Sequence, residues 1–314
     1  MILFFSFGVS SSSLLQNIRT QQQVFLDQLD THPFSPLAVE KILAYGVPVG
    51  ATIEHHSQLP RCMDRLQQLL QEEEQQERVL GAGTVVLADT LTKSSGRFSR
   101  SWHAPTGGLW LAMAWPDTLV PECTRLLPFA IGMACCRTVR QYGLDARLKW
   151  VNDVLVNGKK LAGILCSTMQ SPRGDQYHLI GIGINGNNQT FPADLQRTAT
   201  SLRSELALTQ SVDLVELTGC LLVELRWALG LLYYDEEQAL QAGASCEQGR
   251  QSLLLHAWQD LSDTVGQRVE YGFDIQQQPL YQALVREIDS CGGLVMELED
   301  GGTVTEYSGE IVYR

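Results

Sequence analysis

Lysine is scarce in this chain of 314 residues. Only five of its 23 basic residues are lysine, at positions 41, 93, 149, 159 and 160, against 35 acidic residues and a formal net charge of -12. So acidic a balance argues against an extended basic face for a nucleic-acid duplex. No uninterrupted apolar run approaches the roughly 18 residues that would span a bilayer, so no membrane partner is expected. The eight cysteines contain no Cys-x-x-Cys and no metal-ligand spacing. They read as reduced core residues of a cytoplasmic protein, with adjacent Cys135 and Cys136 inside an apolar helical segment. The first fifteen residues open on an apolar stretch but lack the basic flank of a secretory leader.

What charge there is of positive sign is concentrated. Between positions 93 and 160 stand ten Lys and Arg against four Asp and Glu, a basic island suited to a polyphosphate. At its end lies Lys149-Trp150-Val151-Asn152-Asp153, and the apolar runs Val154–Val156 and Leu161–Leu165 read as strands around Asn157-Gly158, a strong two-residue hairpin signal. Lys149 and Asp153 then sit at the start of one strand and Lys160 just past the turn. Taken singly, Lys159 and Lys160 are equally consistent with ordinary hairpin-tip charges. Upstream, Ser94-Ser95-Gly96-Arg97-Phe98-Ser99-Arg100-Ser101-Trp102 is small-residue rich and punctuated by two arginines, and a strand-like Leu109–Trp115 follows. Such a loop lets backbone N–H groups approach an anion while arginine supplies forked donors to its oxygens. A flexible connector has the same composition.

Together these segments resemble the biotin-protein ligase, or biotin-[acetyl-CoA-carboxylase] ligase, family. Ala88 to Trp102 aligns without a gap with its Gly-Arg-Gly-Arg-x-Gly-Arg-x-Trp region. Lys149 to Asp153 matches Lys-Trp-Pro-Asn-Asp, with valine for proline. Lys160 to Leu165 matches Lys-Leu-Ala-Gly-Ile-Leu, Gly181 to Asn185 matches Gly-x-Gly-Ile-Asn, and Ser308 to Ile311 resembles the terminal Gly-Glu-Ile. The chain departs from the pattern at Ser94, Ser95 and Ser99. It departs again at His55-His56-Ser57, where the family has a biotin-contacting Ser-Thr-Asn, and at Leu91, where it has glutamine.

The resemblance implies ATP-dependent formation of biotinyl-5'-AMP and transfer of biotin to a lysine of a biotin carboxyl carrier domain of a biotin-dependent carboxylase. It implies that Lys160, Arg97 and Asp153 are catalytic, and that Gly96, Arg100, Trp102, Lys149, Asn152 and Asn185 bind ATP or the adenylate. Ser94, Ser95, Trp110, Gly163, Ile164 and Gly183 would bind biotin, and Asp153 would hold Mg²⁺. Within these roles, Arg97 and Lys160 would face the acid carboxylate and the α-phosphate, Lys149 and Arg100 the outer phosphates, and Trp102 would stack on adenine. A homodimer is left open. Two alternatives stay in view: a lipoate or octanoate transferase of the same fold, although its Arg-Arg-x-Ser-Gly-Gly-Gly pattern is absent, and a degenerate member that binds nucleotide without catalysis.

The expected fold is α+β, a mixed-sheet class II synthetase-like catalytic domain followed by a small SH3-like β-barrel. Residues 1–45 form a helical extension without assignable role, 46–262 the catalytic domain and 263–314 the barrel. The extension is neither basic nor a clear helix-turn-helix, so no DNA binding is expected and its removal should preserve catalysis. Strands are expected at 50–55, 82–89, 108–115 and 176–184, and helices at 59–76, 121–142, 213–234 and 251–261, with Pro128 a kink point in the second. Five short strands between 267 and 314, broken by Cys-Gly-Gly and Asp-Gly-Gly turns, make the barrel. His55 and His56, adjacent on a strand, point to opposite faces and do not form a metal pair. His103 reads as an exposed loop residue, Glu72–Glu74 and Glu236–Glu237 as solvated helix faces, and Trp227 with Leu221–Leu232 as core.

Overall fold

The computed structural model describes residues 11–207, 209–243 and 252–314. Strand β1 (Ile53–His56), helix α3 (Cys62–Gln75), β2 (Thr84–Ala88) and β3 (Leu109–Pro116) open the larger α+β part, after helices α1 (Ser11–Asp27) and α2 (Pro36–Tyr45). There follow α4 (Pro121–Thr124), α5 (Leu127–Arg140), β4 (Arg147–Lys149), β5 (Asp153–Val156), β6 (Lys159–Gln170) and β7 (Gln176–Ile184). Helices α6 (Leu202–Glu205), α7 (Leu214–Ala242) and α8 (Leu253–Asp260) complete it. The seven strands form one sheet in the order β1-β2-β3-β7-β6-β5-β4. Only β1 and β2 are parallel, so the sheet is mixed, as expected.

Period-two alternation divides the sheet between two cores. Val85, Leu87, Leu111, Met113, Ile180 and Ile182 join the cluster built with α5, α7 and α8. Val86, Ala88, Ala112, Ala114 and Leu179 join Met63, Leu66 and Leu70 of α3 on the other side. The hairpin between β5 and β6 turns on Asn157 and Gly158, both left-handed with φ of 50° and 74°, the geometry that a type I′ turn demands. A register shift between Val154 and Leu155 follows.

The helix expected over 121–142 is two helices. Pro128 is accommodated in the first turn of α5, where a missing N–H costs nothing, so the chain breaks at Arg125 and Leu126 rather than kinking at the proline. Helix α7 runs eight residues past the expected end, from an Asp213 cap that accepts from Val215 and Glu216 N–H to Gly243 in the left-handed conformation. Among the described residues Cys62, Cys135, Cys136, Cys166 and Cys220 are free thiols. Cys291 is disulfide-bonded, which corrects the reading of a wholly reduced set; single cysteines remote in sequence give no spacing signal. Cys246, Gln251 and residues 1–10 lie outside the described residues.

Strands β8 (Arg268–Gly272), β9 (Tyr281–Ile288), β10 (Leu294–Leu298), β11 (Thr303–Glu306) and β12 (Glu310–Tyr313) form an antiparallel sheet in the order β11-β10-β9-β8-β12. It is tied to the end of β4: the Trp150 indole N–H donates to Gly292 O at 3.2 Å, and Ser262 Oγ to Leu148 O at 2.9 Å. Among the described residues no helix is long and apolar enough to cross a membrane.

Helices α1 and α2 are part of the core. Ile18 and Ile42 are buried, and glycines of α7 let them close in. A Cβ on Gly230 would stand 1.9 Å from Ile42 O, and one on Gly219 2.5 Å from Gln21 Cβ. Deleting residues 1–45 would therefore expose the side of α7 on which Gly219 and Gly230 now meet α1 and α2. The truncated chain is expected to be unstable rather than catalytically intact. Gly230→Ala should cost about 2 kcal/mol or more, the scale of a rigid overpacking, seen as a lowered urea midpoint at unchanged slope. An unmoved midpoint would show that α2 yields freely.

Candidate active site

Every residue that the resemblance gave a role lines one cleft of about 800 Å³: Lys160, Arg97 and Asp153; Gly96, Arg100, Trp102, Lys149, Asn152 and Asn185; Ser94, Ser95, Trp110, Gly163, Ile164 and Gly183. Its floor is the α3-facing side of β6, β7 and β3, where register places Gly163, Gly183 and Trp110 abreast. The two glycines make a lane that a Cβ would fill. Trp102 lies down in it: a Cβ at Gly183 would be 2.8 Å from the indole nitrogen, and one at Gly163 3.1 Å from the ring. That indole N–H is buried without a partner, as is Asn185 Oδ1, so the floor presents one free donor and one free acceptor.

The charged end is built by the hairpin. Lys149 closes β4 directly across from Asp153, the first residue of β5, and Lys160 returns on β6. Asp153 thus stands between two ammonium groups, 3.1 Å from Lys149 Nζ and 2.5 Å from Lys160 Nζ. Burial alone would raise its carboxyl pKa, but Lys160 and then Lys149 outweigh that and hold it well below the usual carboxylate range. Lys160 Nζ also sits 5.1 Å from the centre of the Trp102 ring, which orients it along the lane. Asn152 is spent on the scaffold: its Nδ2 donates to Ile164 O at 2.9 Å. Asn185 Nδ2 similarly donates to Thr200 O, leaving only its oxygen for the cleft.

The 94–102 loop folds as a short stalk, with Ser94 Oγ donating to Trp102 O, and its two arginines reach the small domain. Arg97 donates to Gly309 O at 2.8 Å. Its guanidinium is pulled down by burial, with Glu310 and Asp153 acting the other way. Arg100, expected on the outer phosphates, pairs instead with Glu310 at 2.7 Å and with Asp274. Those two acids lie more than 170 residues along the chain, and nothing local marked them as partners. Phe191, edge-on to the His103 ring at 6.3 Å, is a further aromatic lining residue that sequence reasoning passed over.

At the acid end His55 and His56 do not line the cleft. His55 bonds Asp89 at 2.8 Å, and His56 bonds Glu54, which also holds Arg65. Arg61, Cys62, Met63 and Leu91 line it instead, with burial pushing the Cys62 thiol up to about 12. Among the described residues no group of three metal-ligating side chains occurs. Asp153 is a single carboxylate, a donor set that fits only an ion brought in on substrate phosphates.

A mixed sheet with a glycine-floored lane leading to paired ammonium groups is a site whose charge suits a carboxylate and a phosphate brought together. Residues 59–187 match the sequence model of the biotin/lipoate A/B protein ligase family. The Bifunctional ligase/repressor BirA of Bacillus subtilis is 37% identical over 124 residues, and this match covers 38% of each chain. BirA of Escherichia coli is 28% identical over 75% of this chain and 68% of its own. The biotin--[acetyl-CoA-carboxylase] ligase of Mycobacterium tuberculosis is 28% identical over 74% and 79%. The structure of Aquifex aeolicus biotin protein ligase in complex with biotin and ATP superposes with a TM-score of 0.63 at 20% identity, over 84% of this chain and 99% of that one, a likeness of fold.

A carboxylate held below its usual range stabilises the fold above its unfolded value of about 3.9, and that contribution is lost as pH falls. Asp153→Asn should therefore be less stable than the parent at pH 7. The gap should narrow by about 1.4 kcal/mol per pH unit below pH 4, measured by urea unfolding. A gap that stays constant down to pH 2.5 would remove the charge from the explanation.

Proposed function

We propose that this protein is an ATP-dependent biotin-protein ligase. The observation that carries the reading is the Lys149-Asp153-Lys160 cluster at the head of a glycine-floored lane, with Arg97 across from it. Attack of a carboxylate oxygen on the α-phosphorus of ATP brings anion toward anion, and fixed cations in a water-poor cleft must stabilise the extra charge of the pentacoordinate state. Lys160 and Arg97 do this. Lys149 draws off the charge of the leaving pyrophosphate, and Asp153 keeps the two lysines poised and would hold Mg²⁺ brought in with the phosphates. The product is an acyl-adenylate, whose carbonyl carbon is then attacked by a lysine amine, forming an amide and releasing AMP.

The acceptor in this reading is the lysine of a biotin carboxyl carrier domain, the reaction takes place in the cytoplasm, and self-association as a homodimer is compatible with it. Trp110, Gly163, Ile164 and Gly183 flank the acid's chain, with Ser94 and Ser95 above it. One observation favours a second acid: Met63, Leu91 and Leu165 make the α3 side of the cleft apolar, which suits a lipoyl or octanoyl tail as well as a ureido ring.

Incubation with α-labelled ATP, Mg²⁺ and biotin, lipoate, octanoate or no acid tests this. Labelled biotinyl-adenylate is expected. Adenylate with lipoate or octanoate alone would transfer the protein to that reaction, and none with any acid would leave a nucleotide binder. Lys160→Ala and Arg97→Ala should each lower adenylate formation by about 10²-fold or more with far-UV circular dichroism unchanged. Near-parental turnover in both would overturn the site.

A further inference from the structure

The loop carrying Arg97 and Arg100 is built around an aromatic tip that the chemistry above does not use. Gly96 N–H donates to Arg100 O at 2.8 Å and Trp102 N–H to Ser94 O at 3.1 Å, and Ser95 bridges Ser101. The tip is thereby fixed at residues 97–99. Phe98 there has φ 55° and ψ 29°, the left-handed region that a residue with a Cβ enters only when its surroundings impose it.

Its surroundings do impose it. Phe273, just beyond β8 of the small domain, meets the Phe98 ring edge to face at 5.2 Å and 67°. The guanidinium carbons of Arg97 and Arg100 lie 5.0 and 5.4 Å from its centre. Phe273 is 58% exposed, so it is not a core residue of its own domain, and the Phe98 ring is its partner across the boundary. The ion pairs of Arg100 alone would be a poor fastening, because desolvation opposes them and salt screens them. An aromatic contact has neither weakness.

We propose that Phe98 and Phe273 are a pair of positioning residues, an aromatic latch that holds the arginine-bearing loop shut on the small β domain. Arg97 is aimed by its own bond to Gly309 O, and the latch retains the acyl-adenylate until the acceptor amine arrives. Its role in retention rests on the ligase reading; its role in closing the loop does not.

Trypsin reads the latch directly, because Arg97 and Arg100 are its cleavage sites and cleavage requires the loop to open. In the full ligand-free chain, Phe273→Ala leaves the loop sequence untouched. It should speed cleavage after Arg100 by about tenfold, the worth of the lost ring contacts. Phe273→Tyr should restore slow cleavage, and Phe98→Ala added to Phe273→Ala should add little further. In single turnovers with the acid that the parent accepts, Phe273→Ala should leave pyrophosphate release within about twofold of the parent. Free adenylate recovered in the filtrate should rise. Cleavage after Arg100 at the parental rate in Phe273→Ala would overturn the latch, and raised cleavage with parental adenylate retention would overturn its role in retention. If the parent makes no adenylate from any acid, the ligase reading fails, and the cleavage rates still decide whether the latch exists.

Discussion

Two ammonium groups can be held on one wall of a cleft only because Asp153 stands between them. Without it Lys149 and Lys160 would repel each other out toward solvent, and the hairpin would present a diffuse positive edge. With it, the charge is focused at the end of the glycine lane. The arrangement demands that β4, β5 and β6 be in register to within one residue, since a slip would turn Asp153 to the other face. The Asn157-Gly158 turn and the reciprocal bonds between Asn152 and Ile164 fix that register. Trp102 then depends on Lys160 in turn, lying on the glycine floor beneath its ammonium.

The second constraint is that the site has two owners. The catalytic sheet supplies the lysines, but the loop that faces them is fastened to the C-terminal strands through Gly309, Glu310, Asp274 and Phe273. The small domain is therefore a wall of the cleft as well as an appendage. Its anchoring through Trp150 and Ser262 runs back to the residues flanking Lys149. Movement of that domain and the geometry of the charged cluster are mechanically linked.

The hairpin, the mixed sheet, the C-terminal strands and the lining of the cleft were legible because each is written in contiguous residues: Asn157-Gly158, alternating apolar runs, and the block from Lys149 to Leu165. The partners of Arg100 were not, because Asp274 and Glu310 are ordinary acids until the fold carries them across the chain. His55 and His56 stood in line with a binding motif, yet the sheet spends them on Asp89 and Glu54, and α3 supplies Arg61, Cys62 and Met63 in their place. The break before Leu127 escaped because proline is tolerated in a first helical turn. Residues 11–45 read as an extension because their partner, α7, lies some 200 residues away, and periodicity carries no information about such a distance.

That separation has a consequence for how the chain is made. Helices α1 and α2 pack against α7, which is complete only at Ala242. A ribosome adding about 5 to 20 residues per second takes roughly 10 seconds or more to travel that far. Throughout that interval Ile18 and Ile42 have no mate on α7, and α1 and α2 are housed only when it arrives. The interval before α7 arrives is thus when a chaperone would have most to hold.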